Sequence, residues 1–261
     1  MALDFQSART LSLAGGGRGG ALLEDTTTLN PSMLGFYPIS SISGTLDWIK
    51  PGNGTRMFHA GVIDGRNEFV AAGVSFTRNQ AVDVFHLALA KQALPWLSFG
   101  AHAKRFTTRQ EQLPALIKPI TGYDYGVSAA VASPKDMVAW PVQVGITADN
   151  LVHTAGYEQY VGPKQYAIGA KTNIKDILLL YADFVEGFSS GKGASPAYSG
   201  GAEISLGNDF YVRGGGFGFR DRGWGAGGGW VGPKVGLNYG YQKQTLEVSN
   251  FQHAVTMDIY M

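Results

Sequence analysis

Apolar and polar residues alternate along most of this chain with a period of two, the side-chain period of a β-strand. Ile42, Gly44, Leu46 and Trp48 alternate with Ser41, Ser43, Thr45 and Asp47, before Pro51-Gly52-Asn53-Gly54 turns the chain. Phe58, Ala60 and Val62 follow, then a turn at Asp64-Gly65, then Val70, Ala72, Val74 and Phe76. The alternation recurs at 85–89, 97–101, 123–131, 140–146, 166–170, 178–184, 202–206, 235–241 and 255–261. Two Gly-rich segments, 211–219 and 224–231, alternate more weakly, and the first leaves its face unassigned. No ten-residue segment keeps a helical period. The pattern predicts fourteen strands, or twelve without the Gly-rich pair. Residues 1–38 break it and are irregular, and residues 39–261 carry the strands.

An all-β chain of this kind is either a soluble sandwich, with its apolar face packed inward, or a transmembrane barrel, with its apolar face in lipid. Three features favour the barrel. The polar positions are mostly Ser, Thr, Gly and Ala, where a soluble surface would use Lys and Glu. Trp48, Tyr123, Trp140, Tyr166, Tyr239 and Tyr241 stand near the ends of the apolar stripes, as interfacial girdles require. The last strand, Val255 to Met261, resembles the closing strand of outer-membrane barrels, although Tyr260 is penultimate where those end in an aromatic. The expected fold is an all-β transmembrane antiparallel barrel. Closure pairs every backbone group that hydrocarbon cannot solvate.

Orientation follows from parity. With the N-terminal segment on the periplasmic side, an even strand count returns the C-terminus to that side. The short turns at Asp64-Gly65, Ser133-Pro134 and Gly207-Asn208 then fall on the periplasmic side, and longer loops near 105–121, 149–163 and 186–197 fall outside.

Composition narrows the function classes. Of 261 residues 37 are Gly, and only 16% are charged, against about 25% in an ordinary soluble domain. The formal net charge of +1 gives no electrostatic reason to bind nucleic acid. The absence of Cys excludes disulfide scaffolds, thiol catalysis and Cys-ligated metals. No segment approaches the roughly 18 uncharged apolar residues of a transmembrane helix. The first residues, Met1 to Phe5, contain no leader-like core, so a signal peptide is taken as removed and the expected location is the bacterial outer membrane.

The N-terminal segment adds a resemblance. Ser7-Ala8-Arg9-Thr10-Leu11-Ser12-Leu13-Ala14-Gly15-Gly16, followed by Glu24-Asp25 and then Asn30-Pro31-Ser32, resembles the start of FadL-type outer-membrane proteins, the long-chain fatty-acid transporter family and its porin-like relatives. The match covers about 35 residues, and Ser32 stands where the family has Ala. The resemblance implies a fourteen-stranded barrel with an N-terminal hatch in its lumen, residues 1–38, with Asn30 and Pro31 at the hatch-to-barrel junction. It also implies handling of hydrophobic molecules such as fatty acids. The chain is much shorter than the fatty-acid transporters and has little room for long external loops. It is similar in size to short porin-like members that form homo-oligomers around lipid. Gly44, Ala60, Ala72, Ala101 and Ala129 would give its outer face the close packing such contact needs.

Other motifs weigh less. Gly15 to Gly20 satisfies G-x-G-x-x-G, but no βαβ unit surrounds it. Gly187 to Lys192 falls one residue short of a P-loop. The histidines are 59, 86, 102, 153 and 253, and a turn near Leu94 would set His86 opposite His102 in the lumen. That pair lacks the further ligands of a metal site and a marked Ser nucleophile. Neither a metal, a cofactor nor a catalytic group is expected. Asp47, Lys104, Asp124, Lys171, Asp183, Glu203 and Asp258 are the expected lumenal charges, and the carboxylates among them are expected to lock hatch Arg9 and Arg18 in place. The functional expectation is a non-enzymatic, FadL-like, porin-type barrel. It binds or passes small hydrophobic ligands and contacts membrane lipids, as a homo-oligomer. A general solute porin is the alternative, and an outer-membrane hydrolase comes third.

Overall fold

The computed structural model describes residues 5–50, 55–109, 119–134, 140–152, 162–189, 193–218, 222–245 and 251–261. His153 and the turn residues Pro51 to Gly54 lie outside them, as do Lys135, Asp136 and the residues Gly191 and Lys192 of the P-loop-like run.

Fourteen strands close into one antiparallel barrel in which each pairs with its sequence neighbours and β14 pairs with β1. They are β1 (Ser40–Lys50), β2 (Thr55–Asp64), β3 (Ala71–Arg78), β4 (Val82–Leu94), β5 (Leu97–Thr108), β6 (Thr121–Ala132) and β7 (Val142–Asp149). The second half comprises β8 (Lys164–Ile174), β9 (Leu178–Ser189), β10 (Gly193–Gly207), β11 (Phe210–Gly218), β12 (Gly223–Val231), β13 (Val235–Gln244) and β14 (Phe251–Tyr260). Every expected strand is present, the two Gly-rich ones included. No described helix is long and apolar enough to cross a membrane.

The two faces divide as the alternation requires. Leu46 is 59% exposed and Ile146 52%, whereas Ser43, Thr45, Ser98 and Asp258 are buried. The apolar stripe therefore faces outward and the small polar stripe inward, an inside-out arrangement that only a lipid solvent stabilises. Among the aromatics, Trp48, Tyr123, Tyr166 and Tyr241 lie toward one end of the wall and Trp140 with Trp96 toward the other.

Residues 5–39 run inside. Helix α1 (Ala8–Ser12) packs against β11 to β14, a 3-10 helix (Arg18–Gly20) against β7 to β9, α2 (Asp25–Thr28) against β3 and β4, and a second 3-10 helix (Pro31–Phe36) against β3 to β6. A segment that touches strands all round a closed barrel occupies its lumen. Inward alanines make the room. Ala254 meets Ala8 and Leu11, Ala130 meets Ala21 and Met33, and Ala88 with Ala90 meets Leu34.

The connections differ from expectation. Only Gly207-Asn208-Asp209 is a tight turn of the three expected. Asn208 and Asp209 have φ of 50° and 64°, the left-handed pair of a two-residue hairpin. The connections after β2 and β6 span residues 65–70 and 133–141. The expected long loop at 186–197 shrinks to residues 190–192, because the β9–β10 ladder continues to Gly193↔Ser189. Polar and small residues there stay in the ladder, which needs only their backbone groups. The longest connections, 109–120 and 150–163, both lie at the end away from the hatch exit and the C-terminus.

Candidate functional site: the plugged lumen

Eight residues form one chain of polar contacts from the hatch across the seam that closes the barrel. Arg9 on α1 lies 3.7 Å from Asp25 on α2 and 3.5 Å from Glu203 on β10. Its Nη2 donates to the Tyr181 hydroxyl at 2.6 Å. Glu203 also takes Arg213 of β11 in a close ion pair. Arg213 donates to Asn238 Oδ1 at 2.8 Å, and Asn238 Nδ2 donates to Asp258 at 3.3 Å. Ser43 on β1 completes the run by donating to Asp258 at 2.6 Å. All of these residues are buried.

The second hatch arginine has its own partner. Arg18 lies 3.6 Å from Asp183 on β9. The same carboxylate oxygen accepts the backbone N–H groups of Gly17 and Arg18, each at 2.9 Å. Thus Asp183 grips main chain as well as side chain.

The remaining expected carboxylates serve elsewhere. Asp47 accepts from Gln252, and Asp124 accepts the N–H groups of Tyr125 and Val152, tying down the connection after β7. Asp258 reaches the arginine network only through Asn238 and Arg213. Asn30 and Pro31 are not at the junction. Asn30 is buried in the lumen, where its Nδ2 donates to the Arg18 carbonyl at 2.8 Å. The 3-10 helix Pro31–Phe36 then intervenes, and the chain joins the wall only at Ser40.

The histidines are also displaced from expectation. His86 pairs with Lys104 and His102 with Ala88, so the two sit diagonally. The β4–β5 turn centres on Pro95-Trp96, and a register shift between Gln92 and Leu94 sets the ladder. His102 Nε2 lies 3.4 Å from Asp149, and His59 stacks on Phe5 with ring centroids 3.6 Å apart.

Glu24 is a buried carboxylate of the hatch. Its Oε1 accepts from Thr45 at 2.8 Å and from Thr256 at 3.3 Å. Burial, reinforced by the charges of Asp258 and Asp25, holds it well above its usual value of 4.5, against those two hydrogen bonds. A carboxyl raised in the docked state binds its proton more tightly there. Its contribution to docking is therefore full below the undocked value and is lost as pH rises through the raised one. Asp25 is raised too, mainly by burial, and adds in the same sense. Glu24→Gln is expected to flatten this dependence and leave only the Asp25 part. Protease accessibility of residues 5–39, followed from pH 4 upward (about the ordinary carboxyl range), checks it.

Two cavities flank the network. One, of about 310 Å³, opens toward the long connections and is lined by Phe5, Gln6, Arg18, Leu29, Phe217 and Gln242 among others. The other, of about 380 Å³, lies on the hatch-exit side and is lined by Arg9, Glu24, Asp25, Glu203, Arg213 and Asp258 among others. Thr10 lines the first and its chain neighbour Arg9 the second, so α1 lies between them.

Sequence reading missed Arg213, Tyr181 and Asn238. A signal for Arg213 existed. A guanidinium in the middle of a transmembrane strand belongs in the lumen, and Arg213 lies mid-strand, which fixes the face of the Gly-rich β11 that alternation left open.

No family model matches the chain, and no curated protein matches it. Solved structures share its fold. The toluene transporter TodX of Pseudomonas putida superposes with a TM-score of 0.72 at 9% identity, covering 100% of this chain and 98% of that one. The toluene transporter TbuX of Ralstonia pickettii gives 0.69 at 12% identity over 99% and 98%. The outer membrane protein Omp33 of Acinetobacter baumannii gives 0.52 at 12% over 87% and 100%. The resemblance first read from the N-terminal 35 residues thus extends, as architecture, over the whole chain: its closed fourteen-stranded barrel shares its fold with the structures of these two toluene transporters.

Proposed function

We propose that this chain is a bacterial outer-membrane channel that binds or passes small hydrophobic molecules, with its hatch locked in the lumen by Arg9 and Arg18. The observation that carries this reading is the pair of cavities on either side of a buried arginine network, inside a barrel whose fold is shared with two toluene transporters. Apolar groups such as Phe5, Leu29, Val185 and Phe217 line the outer cavity beside glutamine amides. A ring or short chain bearing one polar group suits that lining. The test is entry of toluene and of short fatty acids into vesicles holding the purified protein, against protein-free vesicles. Entry at the protein-free rate would overturn the reading.

A second reading, a general solute porin, draws on the charged lining of the inner cavity. Liposome swelling with small sugars separates the two, because a locked hatch admits sugars only slowly.

The homo-oligomer has support on the outer wall, though not where the sequence placed it. Gly44 and Ala60 are cross-strand partners, but Ala72, Ala101 and Ala129 stand beside Leu89, Val127 and Phe99. The contiguous small patch is on β9 to β12, where Ala182, Gly200 and Gly216 adjoin Ala202, Gly214 and Ala226. Such a surface lets two walls approach closely. Native mass spectrometry of the wild type and of Ala202→Trp tests it, with dissociation of the variant as the supporting result.

A further inference from the structure

The lipid-facing wall is not smooth. A groove of about 670 Å³ runs across the outer faces of β5 to β9. Ala129 and Ala148 form its shallow floor, and Phe99, Ile146, Ile168 and Phe184 stand along it. Phe99 and Phe184 are 51% and 45% exposed, so nothing in the chain covers them. The fold turns this face to the membrane, where hydrocarbon fills any such depression.

The end of the groove away from the hatch exit carries a short polar ladder. Glu186 on β9 sits directly opposite Tyr166 on β8, and Lys164 lies one step farther out, opposite Phe188. The Lys164 ammonium lies 5.4 Å from the centre of the Tyr166 ring. Tyr166 in turn meets Phe188 edge-on at 5.7 Å. Among the described residues neither Glu186 nor Lys164 has an ion-pair or hydrogen-bond partner. From the membrane surface inward the order is therefore the ammonium, then the aromatic ring and the carboxylate side by side, then the apolar groove.

That order matches one class of lipid. An anionic group belongs beside Lys164, a flat sugar face on Tyr166, a hydrogen-bond donor at Glu186, and an acyl chain in the groove. The linkage region of a diacyl glycerophospholipid has ester oxygens and no donor, so it would leave the carboxylate facing hydrocarbon unpaired, which is costly. A phosphorylated aminosugar lipid with amide-linked hydroxyacyl chains offers both N–H and O–H donors at that depth. We propose that the β5–β9 groove is a binding site for one such glycolipid, lipid A in chemical terms, held by its phosphate at Lys164 and by its amide or hydroxyl donors at Glu186. The site rests on the outer-membrane placement proposed above and not on any transport activity.

The test is native mass spectrometry of the full chain in mixed micelles holding equal amounts of lipid A and phosphatidylethanolamine. Heat-modifiable gel migration first confirms the folded barrel. Wild type is expected to retain one lipid A per barrel in preference to phosphatidylethanolamine by about tenfold. Glu186→Leu is expected to abolish that preference while leaving phosphatidylethanolamine retention unchanged. Lys164→Gln, a milder change, is expected to weaken lipid A retention alone. Ala129→Phe together with Ala148→Phe fills the groove and is expected to lose both lipids. Equal retention of the two lipids by wild type, or an undiminished preference in both Glu186→Leu and Lys164→Gln, overturns the proposal. Toluene entry measured on the same proteins keeps the readings apart. A wild type without lipid preference but with entry intact sinks only the glycolipid site, and a wild type with lipid preference but without entry sinks only the transport reading.

Discussion

Arg9→Ala is expected to loosen the hatch and raise the small-solute conductance of the barrel more than any other single side-chain deletion in the lumen. Arg9 is buried and holds three groups from three directions: Asp25 of the hatch itself, Glu203 of β10 and the Tyr181 hydroxyl of β9. Removing it strands Asp25, whose nearest compensating charge it was, and deletes a charged side chain that lines the hatch-exit cavity. Leaving one partner of a buried pair without the other costs about 3–5 kcal/mol. Glu203 keeps Arg213, so the wall itself should survive and the loss should fall on the hatch. Arg18→Ala is the informative comparison. Asp183 retains the Gly17 and Arg18 N–H groups after that change, so its effect should be clearly smaller. Planar-bilayer conductance and protease accessibility of residues 5–39 measure the two consequences separately. Unchanged values of both in Arg9→Ala would refute the lock.

The period-two pattern made the wall legible because lipid imposes the simplest selection a strand can meet, apolar outward and small or polar inward. Strand number, closure and face therefore followed from Ile42 to Met261 without knowledge of any contact. The lumen was harder. Its outcome depends on register, and register depends on irregularities that composition does not reveal. The shift between Ser205 and Gly207 is what sets Arg213 opposite Glu203. The position of the β4–β5 turn at Pro95-Trp96, not near Leu94, together with the shift between Gln92 and Leu94, sets His102 opposite Ala88, one diagonal step from His86. The pairing of Arg9 with Glu203 and of Arg18 with Asp183 was within the set of charges read from sequence. The assignment of Asp47 and Asp124 to that set failed because their height along the wall places them beside Gln252 and Val152. Hatch Glu24 and Asp25 were visible only as an acidic motif, since an irregular segment carries no period from which to read burial.

Two neighbouring glycines of β11 offer the sharpest test of how tightly the hatch is seated. Gly215 points inward, and a Cβ there would fall 2.7 Å from the carbonyl carbon and oxygen of Leu13 and 2.9 Å from the Gly200 carbonyl oxygen. Those are main-chain atoms of the segment that follows α1 and of the neighbouring strand, so no side chain can swing aside. Gly214 points outward, and a Cβ there meets nothing nearer than the Gly225 carbonyl oxygen at 3.8 Å. The two substitutions alter the same strand by the same atom and differ only in the direction of the added carbon. Gly214→Ala is expected to leave folding, conductance and protease resistance at wild-type values. Gly215→Ala should cost about 1–3 kcal/mol as overpacking, and Gly215→Val more, with the strain relieved by displacement of α1 from β11 to β13. Since α1 carries Arg9, its displacement breaks the pairs to Glu203 and Tyr181 together, and steric strain converts into an electrostatic release. The expected readout is a raised conductance in Gly215→Val with an intact heat-modifiable barrel. A Gly215→Val protein as closed and protease-resistant as Gly214→Ala would mean that the hatch does not bear against the wall at Leu13.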